Sequence, residues 1–361
     1  MKAIRKKTVR RHMAVRVHVS RKTVKKSVRR TSIRKRIRSQ TDIELSWRKQ
    51  AYLAGRQDAL AQAKGKRVYG KKSVNPFWVK WLQSQSQLTG VSNYAAASNG
   101  YSAGYYEAVG RQAPNWILLP TQAKVGAIVT VRNAEGTIGK VLEELNRMPL
   151  HEIIVIVYGS TDRTLERIRG KSDALIIHYP ERIGPHVGRA IGAKLSKSDI
   201  LLFLEGEEVI RAQHVIPFLQ EIERGAHIAL NNRTPYLPPF AEWDALTVMK
   251  QFLNISFNRP DLQANSLSDV PHALSRHALN HVDYNELMVP PKALIHAILA
   301  GLHITSQASI PTMGWQKEPG PEKLQQGIGD HVEALECAMR ERGERIDFPD
   351  LIRKREIIKE E

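Results

Sequence analysis

Cysteine is all but missing: Cys337 is the only one in 361 residues, which excludes an intrachain disulfide framework and zinc sites built on paired cysteines. No apolar run approaches the roughly 18 to 20 residues of a membrane span, and the N-terminus lacks the apolar stretch of a secretory signal. Acidic residues are absent from residues 1–40, which hold 17 of the 55 lysines and arginines. The rest of the chain carries 38 basic against 36 acidic residues, so the net charge of +19 describes a tail, not a folded surface of the nucleic-acid-binding kind. Two glycine signatures are also missing. No Gly-x-Gly-x-x-Gly follows an apolar run, and Gly136-Thr-Ile-Gly139-Lys140 lacks the four-residue spacer of a P-loop. The expectation is a soluble, cytoplasmic chain with a core of its own, about two domains long at roughly 150 residues each.

What is present divides into three zones. In residues 1–40, Val15, Val17, Val19, Val24, Val28, Ile33 and Ile37 are too few and too small to build a core, so a basic disordered arm is expected. Its uncompensated charge suits salt-sensitive contact with a polyanion such as RNA, acidic lipid or an anionic polymer; the plainer alternative is a solvated arm, and a peripheral seat on an anionic surface follows only from the first. Residues 41–116 read as a small helical module with an internal echo, Tyr52-Leu-Ala-Gly55-Arg-Gln-Asp58-Ala59 against Tyr101-Ser-Ala-Gly104-Tyr-Tyr-Glu107-Ala108. Two helices packed closely through Ala54, Gly55, Ala103 and Gly104 would explain it. Trp78 and Trp81, three residues apart on one helix face, either dock the module onto the next domain or form an aromatic ligand platform.

From Lys124 short apolar runs alternate with helical patterns. Val125–Val131, Ile153–Val157, Ala174–His178 and Ile200–Leu204 read as buried strands, each followed by a polar turn and an amphipathic stretch. That rhythm predicts an α/β fold, a Rossmann-like parallel sheet covered by helices on both faces, with ligands at the strand C-termini. Asn133, Glu135, the Ser160–Asp162 turn, Arg189, and Glu205 with Glu207 fall at those ends. Two carboxylates one residue apart at a strand end can hold a divalent cation against a diphosphate; the plainer reading of Glu205 to Glu208 is a solvated acidic turn. The histidines, among them His178, His272, His277 and His281, show no ligand spacing, so no histidine metal site is expected.

The order and spacing of Ile128 to Ile210 resemble the inverting family 2 glycosyltransferases: a first strand, an Asn-Glu-Glu-like turn, a second strand ending in Asp-Asp-Gly-Ser-Thr-Asp, a Gly-x-x-x-Ala-Arg-Asn-x-Gly helix start, and a strand ending in Asp-x-Asp. The resemblance spans about residues 124–355, divided into a nucleotide-sugar half (124–230) and an acceptor half (231–355), and implies a nucleotide-diphospho-sugar transferase (GT-A) sheet. It implies nucleotide-sugar binding by Asn133, Glu135, Asp162, Arg189 and Glu205, and a divalent metal, Mn²⁺ or Mg²⁺, on Glu207. The sequence departs from the pattern at three places: Val157 and Tyr158 stand where the family has two aspartates, Arg189-Ala190 replaces Arg-Asn, and Glu205-Gly206-Glu207 replaces Asp-x-Asp. Tyr158 is placed either to stack on the donor's base or to plug its pocket.

The family's catalytic base opens a helix well after the metal motif, and Gly329-Asp330-His331-Val-Glu333 fits that description, which makes Asp330 the expected base. The alternative for Asp330 is a helix N-cap. The Pro-Gly-rich stretch Pro311 to Pro321, with Met313 and Trp315, reads as a flap or an ordinary surface loop. Asp347, Arg353, Lys354 and Arg355 are similar to a basic C-terminal segment that closes over the diphosphate in relatives. The expected activity is metal-assisted transfer of a sugar, with inversion, from a nucleoside-diphosphate-sugar to an acceptor hydroxyl. The rival readings are a catalytically impaired binding module that docks on an anionic assembly, which the altered second turn favours, and a nucleotidyltransferase on a similar sheet.

Overall fold

The computed structural model describes residues 22–62, 69–170, 173–312 and 320–353, with side chains from residue 39 onward. The chain divides into two compact units, Met1–Ser46 and Trp47–Glu361. What is described of the first is the leading part of helix α1 (Lys22–Ala61), with Gln40 donating to Glu44 one turn on at 3.1 Å. The expected arm thus divides at residue 22. Residues 1–21 lie outside the described residues, whereas residues 22–40 are helical instead of disordered. No glycine occurs before Gly55 and no proline before Pro76, and lysine and arginine are good helix formers, so nothing in that stretch stops the helix.

In the second unit the end of α1 joins α2 (Lys71–Gln83) and α3 (Val91–Ala108). α1 and α3 cross at backbone distance: a Cβ on Gly55 would strike the carbonyl of Tyr101, one on Gly104 that of Tyr52, and one on Gly100 that of Arg48. Trp78 is fully buried, with Trp81 at 5.2 Å and Tyr94 and Tyr101 edge-on at 5.5 Å between ring centroids. Its Nε1–H donates to the Tyr94 hydroxyl (3.3 Å), which donates to the carbonyl of Leu118 (2.8 Å). These rings are therefore core, and the aromatic-platform alternative falls away for Trp78 because no face of it meets solvent. The side chain of Asn75 binds Thr121 and Leu119, fastening α2 to the chain that leads into the sheet.

The sheet has seven strands: β1 (Val125–Val131), β2 (Glu152–Tyr158), β3 (Leu175–Tyr179), β4 (Ile200–Glu205), β5 (Ile228–Ala229), β6 (His272–Ser275) and β7 (Ile304–Thr305), in the order β3-β2-β1-β4-β6-β5-β7. β1 to β4 are mutually parallel where they pair, and β6 runs antiparallel between β4 and β5. The α/β sheet expected from the apolar runs is present, with an antiparallel strand the first four runs did not announce.

Alternation along β1 serves two cores, as a sheet covered on both faces requires. Ala127, Val129 and Val131 face α4 (Ile138–Asn146), α7 (Ala212–Glu223) and the aromatic helices; Ile128 faces α6 (Pro185–Leu195). Gly188 and Gly192 let α6 lie against β1, since a Cβ on Gly192 would meet Ile128 and one on Gly188 would meet Thr130. The parallel register brings Val131 beside Val157 and Thr130 beside Glu205, so the ends of β1, β2 and β4 share one edge. Beside that edge α8 (Ala245–Ser256) and α11 (Pro321–Arg342) line a cleft, and a small core of Leu253, Phe257, Ile295, Ala334 and Ala338 joins them to α10 (Pro290–Leu299). Among the described residues no helix is long and apolar enough to cross a membrane.

Candidate functional site

The turns after β1 and β2 are laced to each other. Asn133, at φ 50°, donates its N–H to Ser160 Oγ (3.1 Å) and accepts the N–H of Thr161 on Oδ1 (2.8 Å). The N–H of Glu135 donates to Asp162 Oδ2 (3.0 Å), and Glu135 Oε2 accepts the N–H of Arg163 (3.1 Å). Asp162 Oδ1 takes both the N–H and the hydroxyl of Thr164, at 3.0 and 2.6 Å. Burial would raise the Asp162 carboxyl, but these hydrogen bonds outweigh it and hold the group below its ordinary range. None of the three lines the main cleft. The side-chain oxygens of Asn133, Glu135 and Asp162, expected to bind the nucleotide, accept backbone N–H groups and shape the turns.

The cleft itself, about 770 Å³, opens beside the ends of β2 and β4. Tyr158, the last residue of β2, closes one wall; it is buried, and burial together with Glu207 and Glu205 pushes its phenol up to about 12, so it remains a neutral donor. Arg189, only 3 % exposed and held between the two glycines of α6, donates to Glu205 Oε1 at 2.8 Å and to the carbonyl of Ser268 at 3.2 Å. The expected acid pair is therefore unequal. Glu205 spends one oxygen on Arg189, whereas Glu207 takes only the N–H of Arg132 on Oε1, at 2.8 Å. The Glu207 side chain reaches solvent in the cleft, yet the protein crowded around it and then the neighbouring Glu205 push its carboxyl up to about 7. The hard oxygens of this carboxylate, which Arg189 offsets less than burial raises, suit a divalent ion.

Asp330 lines the same cleft but does not open a helix. It sits inside α11, which starts at Pro321, and so it is not an N-cap either. Pro321 fits the first helical turn, where its missing N–H costs nothing, and Gly327 and Gly329 do not break the helix that follows. Burial, with Glu333 nearby, pushes the Asp330 carboxyl up to about 6. The flap residues Met313 and Trp315 lie outside the described residues, as do Lys354 and Arg355, and neither Asp347 nor Arg353 lines the cleft.

Several lining residues were not foreseen. His331 is 1 % exposed, donates from Nδ1 to the carbonyl of Gly327 at 2.6 Å, and has no partner for Nε2 among the described residues. Burial holds it below its ordinary range, hence neutral with Nε2 as an acceptor. Lys250 and Asp269 form a buried pair at 2.9 Å, joined by Arg233 at 3.3 Å. Burial lowers the lysine; Asp269, although burial opposes it, stays ionised because the two cations hold it. His186, also in the lining, is kept neutral by burial and by Arg189. The one sequence signal was a lysine placed on the stripe of α8 shared by Thr247 and Asn254. A smaller recess of about 350 Å³ adjoins the cleft, lined by Arg132, Tyr158, Arg182 and Gln326 among others.

Residues 127–286 match the family model described as glycosyl transferase family 2. A curated relative, 4,4'-diaponeurosporenoate glycosyltransferase of Staphylococcus haemolyticus (strain JCSC1435), is 24% identical over 142 residues, 37% of this chain and 38% of the relative; the chain thus spans well under half of that protein. Similar solved structures include glucosyl-3-phosphoglycerate synthase from Mycobacterium tuberculosis in complex with uridine-diphosphate, 18% identical over 59% of this chain and 80% of that one, TM-score 0.45. Another is mannosyl-3-phosphoglycerate synthase from Rubrobacter xylanophilus, 16% identical over 64% and 78%, TM-score 0.47.

Proposed function

We propose that the cleft, in a chain whose residues 127–286 match the glycosyl transferase family 2 model, transfers a sugar from a nucleoside-diphosphate-sugar to an acceptor hydroxyl with inversion. The observation that supports this most is the pair of perturbed carboxyls lining one cavity, Glu207 at about 7 and Asp330 at about 6. Groups poised near neutrality are suited to exchanging protons or cations under working conditions.

In this reading Glu207 is the metal residue, with the second oxygen of Glu205 within the same turn. When bound, a divalent ion supplies positive charge to the departing diphosphate. Arg189 holds Glu205 in place, and Tyr158 forms the wall against which the donor's base or ribose would lie. The turns tied by Asn133, Glu135 and Asp162 fix the chain that follows β1 and β2. Asp330 accepts the proton as the acceptor oxygen bonds to the anomeric carbon and the bond to the diphosphate oxygen breaks on the opposite side. His331, beside it with an unshared Nε2, is the second candidate for that proton.

Thermal melting with UDP-, GDP- and dTDP-sugars and Mn²⁺ or Mg²⁺ tests the donor, because a ligand that binds only the folded state raises the midpoint by mass action. A metal-dependent rise with one donor class is expected. Absence of a rise with every donor overturns the proposal.

A further inference from the structure

Away from the cleft, α10 and α11 bring three ligand-type side chains together. His296 Nε2 lies 3.1 Å from Cys337 Sγ, and Glu341 Oε1 is 4.0 Å from each. Among the described residues no other His, Cys, Asp or Glu trio places its ligand atoms so close together. Cys337 and Glu341 are one turn apart on α11, so their side chains share a face; His296 approaches from α10. On the far side of the imidazole, Glu286 Oε2 is 3.8 Å from His296 Nδ1. Lys292 balances Glu286 (3.4 Å) and Glu333 (3.3 Å).

We propose that His296, Cys337 and Glu341 form a zinc-type divalent metal site that clamps α10 to α11. Nitrogen, sulfur and oxygen donors in a group of three match the ligand set of borderline-soft Zn²⁺, with a fourth position left to water. Spacings of 3.1 to 4.0 Å bracket the roughly 3.3 to 3.6 Å between donors on a tetrahedral zinc, calculated from bond lengths of about 2.0 to 2.3 Å. The Glu286 carboxylate, 3.8 Å from His296 Nδ1, puts negative charge behind the ring whose Nε2 faces the site. Binding breaks the Cys337 S–H bond: the sulfur keeps the electron pair as a thiolate ligand and the proton leaves to solvent. The clamp bears on the cleft because Asp330 stands two turns before Cys337 on the same helix. Nothing in the sequence marked it, since His296 and Cys337 are 41 residues apart.

The single cysteine makes the test specific. Titrating the intact, reduced protein with Co²⁺ is expected to produce a near-ultraviolet thiolate-to-cobalt charge-transfer band that Zn²⁺ displaces and Cys337→Ser abolishes. Any ion held by Glu207 in the cleft gives no such band. His296→Ala and Glu341→Gln are expected to weaken Co²⁺ at this band. On the wild-type chain, Zn²⁺ is expected to slow maleimide alkylation of Cys337 and a chelator to restore it. Co²⁺ saturation without the band, alkylation indifferent to Zn²⁺, or undiminished affinity in His296→Ala overturns the site.

Discussion

At Asp330 the catalytic and structural roles separate cleanly, because a residue inside α11 caps nothing. Aspartate and asparagine are similarly poor in helix interiors, so Asp330→Asn is expected to leave the melting midpoint near wild type. The amide cannot take a proton, and transfer is expected to fall about 10² to 10⁴-fold while donor affinity survives. Wild-type turnover in that variant with a collapse in His331→Gln would move the base one residue along. Glu207 carries its own pH signature. Its folded-state pKa lies above the ordinary carboxylate value, so its ionisation works against folding as pH rises from about 4.5 to about 7. Metal binding takes the ionised form and therefore strengthens through the same window. The Mn²⁺-dependent part of the donor's melting shift is expected to be larger at pH 8 than at pH 6, and Glu207→Gln to remove that difference. A shift independent of pH would detach Glu207 from the metal.

Elements explain which parts of this site were legible. The first four strands announced themselves because a strand buried on both faces is a continuous apolar run, and β1 to β4 match those runs within a residue or so. β5 and β7 have two residues each and β6 four, too short to show a period, and their pairing is set by contacts far apart in sequence. Strand-end position correctly brought Tyr158, Arg189, Glu205 and Glu207 into one cleft. It did not reveal that Asn133, Glu135 and Asp162 spend their acceptors on neighbouring turns, because a hydrogen bond between two loops leaves no mark on either. The cations facing the cleft, Lys250 and Arg233, meet Asp269 only through tertiary packing. Helix contacts offer a test of their own. Overpacking typically costs about 1–3 kcal/mol, and at Gly104 the obstacle is the Tyr52 carbonyl, which cannot rotate away. Gly104→Ala is expected to destabilise on balance, although alanine is better in helices by about 1 kcal/mol. Chemical denaturation measures it, and a neutral or stabilising outcome would refute the close crossing of α1 and α3.

Across the whole molecule, the aromatic helices and one face of the sheet belong to a single apolar core that runs from Trp78 and Tyr94 to Val129 and Leu202. Removal of residues 1–40 is expected to leave the melting midpoint and donor binding intact, since that core begins at Ala51. Loss of soluble folded protein on truncation would show that the arm does more. The strand order has a consequence in time. β4 waits for β6, whose last residue is Ser275, to cover its outer side, and on the ribosome chains lengthen by about 5–20 residues per second. For several seconds of synthesis the nascent chain therefore presents a bare, apolar strand edge, the kind of template on which chains stick to one another. Expression truncated before His272 should yield aggregates that the full-length chain avoids, and a helper that shields nascent chains should matter most during that interval.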